Sequence, residues 1–354
     1  MAARLAERTL ELVNISSESR HEAALAAHVA RVLRDGGAEV SDLGDSCVYA
    51  RPPGTQPAVL LAGHLDTVPA QDNIPGSMDG ERVRGLGASD MKGALAVMIE
   101  LLLAGAPYGA LFFPREELPS TESALVPLLE RSAVDAEFVV MMEPTDGELH
   151  AGCVGNINAI WTFRGRSGHS ARPWAADNAI TRAALGVAGL ASVPVLPVAF
   201  HGLTFFEVAS VTQISGGIAN NVIPDTCTAS VNFRYAPGRT PEEAEARLRE
   251  LCRQGIPESA GVPGAGAGGE LEITGNAGAA PVALDHPLAR RLIAAGELTV
   301  APKQAWTPVA EFAQFGFPAV NFGPGSPSQA HRRDESIEIA RLLHAHRVLE
   351  AFAT

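Results

Sequence analysis

No apolar run in this chain approaches the roughly 20 residues needed to cross a bilayer, so no membrane-spanning helix is expected. The opening residues, MAARLAERTLELV, lack the apolar core and small-residue cleavage site of a secretory leader. Cysteine is scarce: Cys47, Cys153, Cys227 and Cys252 are scattered without C-x-x-C spacing. Two disulfides could be drawn from them, but a chain this long needs none. Buried free thiols in a reducing compartment are the expectation, and with them a cytoplasmic protein. Positive charge is also short. Lys and Arg number 27 against 40 Asp and Glu, and the net charge of −13 argues against nucleic acid and anionic membrane as partners. It says little about the substrate, because bound metal ions would reverse the local field. No internal repeat is present.

What remains is an ordinary globular composition, 46% hydrophobic and 19% charged, in 354 residues. That length predicts roughly two domains. Residues 3–13 read as an amphipathic helix, and Ser19-Arg20-His21-Glu22 as a capping box opening a helix that stops at Gly36-Gly37. Strands are expected at 40–43, 48–51, 58–62, 110–113 and 138–142, with a buried helix at 93–103 and another at 121–130. This alternation predicts an α/β sheet covered by helices, with ligands beyond the carboxyl ends of its strands. From about Arg164 long alternating strands (205–214, 226–235) and two helices (178–190, 241–252) suggest an inserted α+β domain. Gly261–Gly269 is glycine-rich and reads as a flexible linker. Helices at 286–298 and 337–351 and a strand at 319–322 then return to α/β character. The expected division is 1–163 and 275–354 for one domain and 164–274 for the insertion.

Chemistry-bearing residues gather where strands end. The apolar run before His64-Leu65-Asp66 places His64 and Asp66 on one face, with Leu65 turned to the core. Asp90 follows in a glycine-rich loop before a helix. A histidine and nearby carboxylates suit a divalent cation. Glu116-Glu117 follows another apolar strand, where one carboxylate can bind metal while the other takes a proton. Glu143 comes directly after VVMM, a costly place for an unpaired carboxylate. His331 lies in the loop before the last helix, and His169 stands between Gly168 and Ser170. Each has a bland alternative: a core histidine, a helix cap or a solvated loop.

Taken in order, H-L-D-T-V-P, G-A-S-D-M-K-G, E-E, E-P-T, G-H-S and A-H-x-x-D-E resemble the co-catalytic zinc amidohydrolases. That family includes the succinyl-diaminopimelate desuccinylases, acetylornithine deacetylases, aminoacylases and related carboxypeptidases. The stretches AGHLDTVP, HSARPWAADNAI, ANNVIPD and PAVNFGPGSPSQAHRRDE look most like the desuccinylases. The resemblance implies a zinc-exopeptidase-like three-layer α/β/α catalytic domain with an inserted two-layer dimerisation, or lid, domain. It implies two divalent ions per subunit, zinc or else cobalt or manganese, acting on a small N-acyl amino acid. Asp90 would bridge them, with His64 and Glu143 on one ion and Glu117 and His331 on the other. Asp66 would hydrogen-bond His64, and Glu116 would be the general base. His169 would reach the partner's active site in a homodimer, and Asn220, Asn221, Arg234 and Gly323 would contact substrate.

One stretch departs from the desuccinylase pattern. In Trp306-Thr307-Pro308-Val309-Ala310-Glu311, an Asp is expected near Pro308 and an Arg near Glu311. The change reverses the charge and removes a bidentate fork for a substrate carboxylate. Lys303, Arg332 or Arg172 would have to take over, or the substrate presents an amine, as acetyl-ornithine or acetyl-lysine does. A drifted paralogue acting on another N-acyl amino acid or a dipeptide is the third reading.

Overall fold

The runs VLLAG and GALFF are apolar without alternation, the pattern of strands buried on both faces. In the computed structural model, which describes residues 1–254 and 269–353, they form the centre of an eight-stranded sheet. Its order is Glu39–Gly44, Cys47–Arg51, Gly109–Phe113, Val59–His64, Phe138–Met141, Ala319–Asn321, Leu149–Ala151 and Val300–Pro302. The four strands from Gly109–Phe113 to Ala319–Asn321 run parallel, and every residue of Val59–His64 is buried. Helix Gly93–Leu103 is buried all round except at its last residue, as its uniformly apolar sequence requires. It packs with helices Ala2–Val13 and Ile339–Ala353. The result is a mixed α/β unit with a large central sheet.

The chain divides into two compact units, Met1–Cys153 with Ala280–Lys303 and Thr307–Thr354, and Val154–Ala279 with Gln304–Trp306. Both borders differ from those expected at 164 and 274. Gly155–Arg164 and Glu270–Ala277 are strands of the second unit, paired with each other and, for the former, with Thr226–Tyr235. Membership was decided by that non-local pairing. The second unit has a five-stranded antiparallel sheet, in which Gly155–Arg164 and Thr226–Tyr235 alternate buried and less buried residues. Their buried faces share a core with helices Ala179–Ala191 and Pro241–Gln254, centred on Trp161, Phe163 and Leu248.

Smaller expectations also shifted. Ser19 does not cap the helix Ala23–Asp35, whose N-cap residue Glu22 makes no side-chain capping bond and instead accepts from the Arg20 N–H at 2.8 Å. The helix expected at 121–130 is a short 3-10 turn, Ser120–Glu122, followed by Leu125–Glu130. The expected linker at 261–269 lies outside the described residues but for Gly269. All four cysteines are free and buried. No helix among the described residues is long and apolar enough to cross a membrane.

Candidate metal centre

The parallel strands bring their carboxyl ends to one edge, and the residues following them carry the candidate donors. His64 ends its own strand. Glu116 and Glu117 follow Phe113, and Glu143 follows Met141 by two residues. Asp90 arrives on the loop before Gly93–Leu103, where the backbone at Asp90 (φ −128°, ψ 90°) leaves helical geometry. His331 arrives on the loop before strand Ser336–Glu338. It has a left-handed φ of 62°, and Gln71 Nε2 donates to its carbonyl at 3.1 Å.

Asp90 stands between the two histidines. His64 Nε2 lies 3.1 Å from Oδ1 and His331 Nε2 lies 3.7 Å from Oδ2. Glu143 Oε1 is 4.0 Å from His64 Nε2, and Glu117 Oε1 is 3.0 Å from His331 Nε2. His64, Asp90 and Glu117 each place a donor atom within 4.8 Å of the others, and so do His64, Glu116 and Glu143. The structure thus gathers all five expected ligands and Glu116 in the first unit. Distance alone does not separate Glu116 from the ligands. No histidine bonds to its carboxylate among the described residues, whereas Glu117 is paired with His331.

These carboxylates are short of positive charge. Burial, reinforced by the Glu143 carboxylate, pushes Glu116 well above the ordinary carboxylate range. Burial likewise pushes Glu143 up to about 7, against the opposing pull of Lys303. Burial would lower His64, yet the Asp90 carboxylate bonded to it raises it well above its usual value. The bond to Glu117 takes His331 up to about 9. Glu143 Oε1 is buried with no hydrogen-bond partner. Two imidazoles and four crowded carboxylates without a thiolate form a donor set that fits divalent cations, which would supply the missing charge.

Several residues do something other than expected. The Asp66 carboxylate does not bond His64: His64 Nδ1 meets the Asp66 carbonyl at 3.0 Å, and the nearer carboxylate oxygen is 3.6 Å away. That carboxylate instead accepts from the backbone N–H of Glu116 (3.0 Å) and Glu117 (3.1 Å) and from Ser19 Oγ (2.8 Å). It orients the acidic loop, and Ser19 serves it. Gly323 has both backbone groups engaged: its N–H donates to Thr145 Oγ1 at 3.0 Å, and its carbonyl accepts from Thr145 Oγ1 at 3.1 Å. A Cβ there would stand 2.3 Å from the Met142 carbonyl, so only glycine fits. Lys303, one of three candidate substitute cations, is buried; its Nζ donates to the Pro144 carbonyl at 2.8 Å and lies 3.8 Å from Glu143 Oε2. Arg332 is paired with Asp334 at 2.7 Å, and Arg172 belongs to the second unit.

His169, Asn220, Asn221 and Arg234 also lie in the second unit. Gly168–His169 pairs with Val222–Ile223, and Ser170 N–H donates to the Asn221 carbonyl at 3.0 Å. His169, Asn220 and Asn221 are exposed; Arg234 is half-buried and donates to Asn232 Oδ1 at 3.0 Å.

A sheet whose parallel strands end in two histidines and a ring of carboxylates defines a metallohydrolase-type site. The model of peptidase family M20/M25/M40 matches residues 60–354, and the chain belongs to that family, hydrolases of amide bonds. Over 355 residues it is 34% identical to a Mycobacterium tuberculosis protein provisionally named succinyl-diaminopimelate desuccinylase DapE, covering 98% of this chain and 97% of that one. It is 32% identical to the succinyl-diaminopimelate desuccinylase of Corynebacterium glutamicum, over 97% of this chain and 94% of that one. Among solved structures, a Staphylococcus aureus tripeptidase superposes with a TM-score of 0.78 at 19% identity, covering 100% of this chain and 98% of that one. The Bacillus subtilis YXEP protein, a dinuclear metal-binding peptidase of the M20 family, gives 0.71 at 16% identity, covering 99% and 97%.

Proposed function

We propose that the chain is a metal-dependent amide hydrolase that releases succinate from N-succinyl-LL-2,6-diaminopimelate, a step of lysine and diaminopimelate biosynthesis in the cytoplasm. The observation that carries this reading is near-full-length similarity to proteins of that name, supported by the clustered donor atoms of His64, Asp90, Glu116, Glu117 and Glu143 and by His331 beside Glu117. His64 and Glu143 would hold one divalent ion, Glu117 and His331 a second, and Asp90 both. Zinc suits the donors best, and cobalt and manganese are compatible. When bound, the ions would supply Lewis-acid polarisation and make water acidic enough to ionise near neutral pH.

Glu116 takes the proton from the attacking water and returns it to the leaving amine nitrogen. The Asp66 carboxylate holds the Glu116 and Glu117 amides, so it aims both carboxylates without touching the reacting atoms. Asn220, Asn221, Arg234 and Gly323 would contact substrate. His169 of the partner subunit donates to the developing oxyanion in a homodimer. The exposed apolar side chains Trp174 (81% exposed), Ile214 (55%) and Ile218 (88%) support an interface on the second unit.

Glu311 favours a second reading. It is buried, Oε2 accepts from Ser123 Oγ at 3.1 Å, and Oε1 has no partner. Ser123 belongs to the segment that carries Glu116 and Glu117, so a carboxylate stands where the desuccinylase pattern expects a guanidinium. A substrate with an amine at that end, N-acetyl-ornithine or N-acetyl-lysine, or another N-acyl amino acid or dipeptide, would match it. Steady-state hydrolysis of N-succinyl-LL-diaminopimelate beside N-acetyl-ornithine decides. Higher kcat/KM for the succinyl substrate is expected, and equal or lower kcat/KM moves the chain to the second reading.

A further inference from the structure

Glu335 closes the stretch Ala330-His331-Arg332-Arg333-Asp334-Glu335, is 2% exposed and is not among the proposed ligands. Its carboxylate is fully used by one loop. Oε1 accepts from the backbone N–H of Ser89 at 2.8 Å and of Asp90 at 2.9 Å, and Oε2 accepts from that of Gly87 at 2.8 Å. The Glu335 carbonyl takes a fourth donor from the same loop, the N–H of Gly85, at 3.0 Å. Backbone amides converging on one anion form a nest, and here the chain supplies the anion itself. The convergence depends on non-helical backbone: Gly87 is left-handed at φ 76°, and Asp90 sits at φ −128° and ψ 90°. These three side-chain bonds form together only in that loop conformation.

The segment that carries the clamp also delivers His331, four residues earlier. It therefore joins the two distant stretches whose side chains meet where His331 Nε2 lies 3.7 Å from Asp90 Oδ2. The adjacent ladder, Ser336–Glu338 against Arg82–Arg84, aligns the segments but leaves the dihedrals of residues 87–90 unset. We propose that Glu335 is a positioning residue of the metal centre: it locks Gly87–Asp90 so that both oxygens of Asp90 are held between His64 and His331. The proposal rests on the two-cation reading above.

Glu335→Gln keeps the shape but replaces one acceptor oxygen with an NH2 group, which must face a backbone N–H. Zinc affinity of the full chain, measured by competition with a chromophoric chelator, should fall about 10- to 100-fold. Arg82→Ala is the control, since it removes the contacts of Arg82 with Ser336 and Glu338 beside the clamp. It should leave zinc affinity unchanged. Wild-type affinity in Glu335→Gln overturns the proposal, and so does an equal affinity loss in Arg82→Ala. If the Gln variant does not fold, Glu335→Asp keeps the charge and shortens the reach; the same direction of loss is expected, and unchanged affinity again overturns it. Hydrogen exchange of the 85–92 segment in metal-free protein is the second readout. Protection in wild type and fast exchange in Glu335→Gln are expected, and fast exchange in wild type overturns the clamp whatever the metal content. A wild-type chain that binds no zinc overturns the two-cation reading and this role with it, while the exchange data still report on the clamp.

Discussion

Glu311 offers a clean electrostatic perturbation. The residue is 5% exposed, with one oxygen bonded to Ser123 and the other buried and unpartnered. Burial pushes its carboxyl from 4.5 up to about 7. An acid whose folded pKa lies above its unfolded value binds its proton more tightly in the folded state. Stability is therefore highest while the folded acid is protonated and is lost as pH rises from the unfolded value through the folded one. With those two values, the cost of ionising Glu311 grows by about 2.5 kcal/mol between pH 5 and pH 8.5. Glu311→Gln keeps the volume and an acceptor for Ser123 and cannot ionise. Its stability relative to wild type should rise by about 2.5 kcal/mol over that pH range, a relative gain of several degrees in thermal midpoint. The assay is thermal unfolding of both metal-free proteins in matched buffers at the two pH values. Taking the variant against wild type cancels the titration of every other group. A difference that does not change with pH, or that changes in favour of wild type at pH 8.5, would refute the reasoning.

Two further substitutions separate chemistry from metal binding. Glu116→Gln should lower kcat by about 10²–10⁴ with metal content unchanged, because it removes the proton acceptor and none of the proposed ligands; turnover that survives it reassigns the base. His169→Ala should cost about 10²–10³ in kcat, the usual loss for one oxyanion donor. Metal loss in that variant would contradict a role confined to the oxyanion.

Much of the centre was legible because its donors follow apolar runs, and a polar residue at the end of a buried strand has few other uses. His64, Glu117 and Glu143 fall into that class; the structure clusters their donor atoms with those of Asp90, and His331 lies against Asp90 and Glu117. The specific bonds were not legible. Alternation puts Asp66 on the same face as His64 but cannot say which of its atoms is used. The carboxylate turned to the amides of Glu116 and Glu117, 50 and 51 residues away. Ser19 had the spacing of a cap and was drawn instead to that carboxylate. The strand Gly155–Arg164 carries its own alternating pattern, yet which sheet it joins depends on Thr226–Tyr235 and Glu270–Ala277, and no local signal reports that pairing. Glu335 was visible only as the last letter of a motif; its burial against three amides is a property of the folded loop.

Calorimetric titration of the metal-free protein with zinc at pH 7, repeated in buffers of different ionisation enthalpy, tests the two-cation centre most directly. The bond to Glu117 holds His331 up to about 9, so at pH 7 it carries a proton that a metal must displace, and the Asp90 carboxylate raises His64 in the same direction. The expected result is two zinc ions per chain with net proton release, and loss of one of them in either Glu143→Ala or Glu117→Ala. A single ion, binding without proton release, or full binding in both variants would contradict the account.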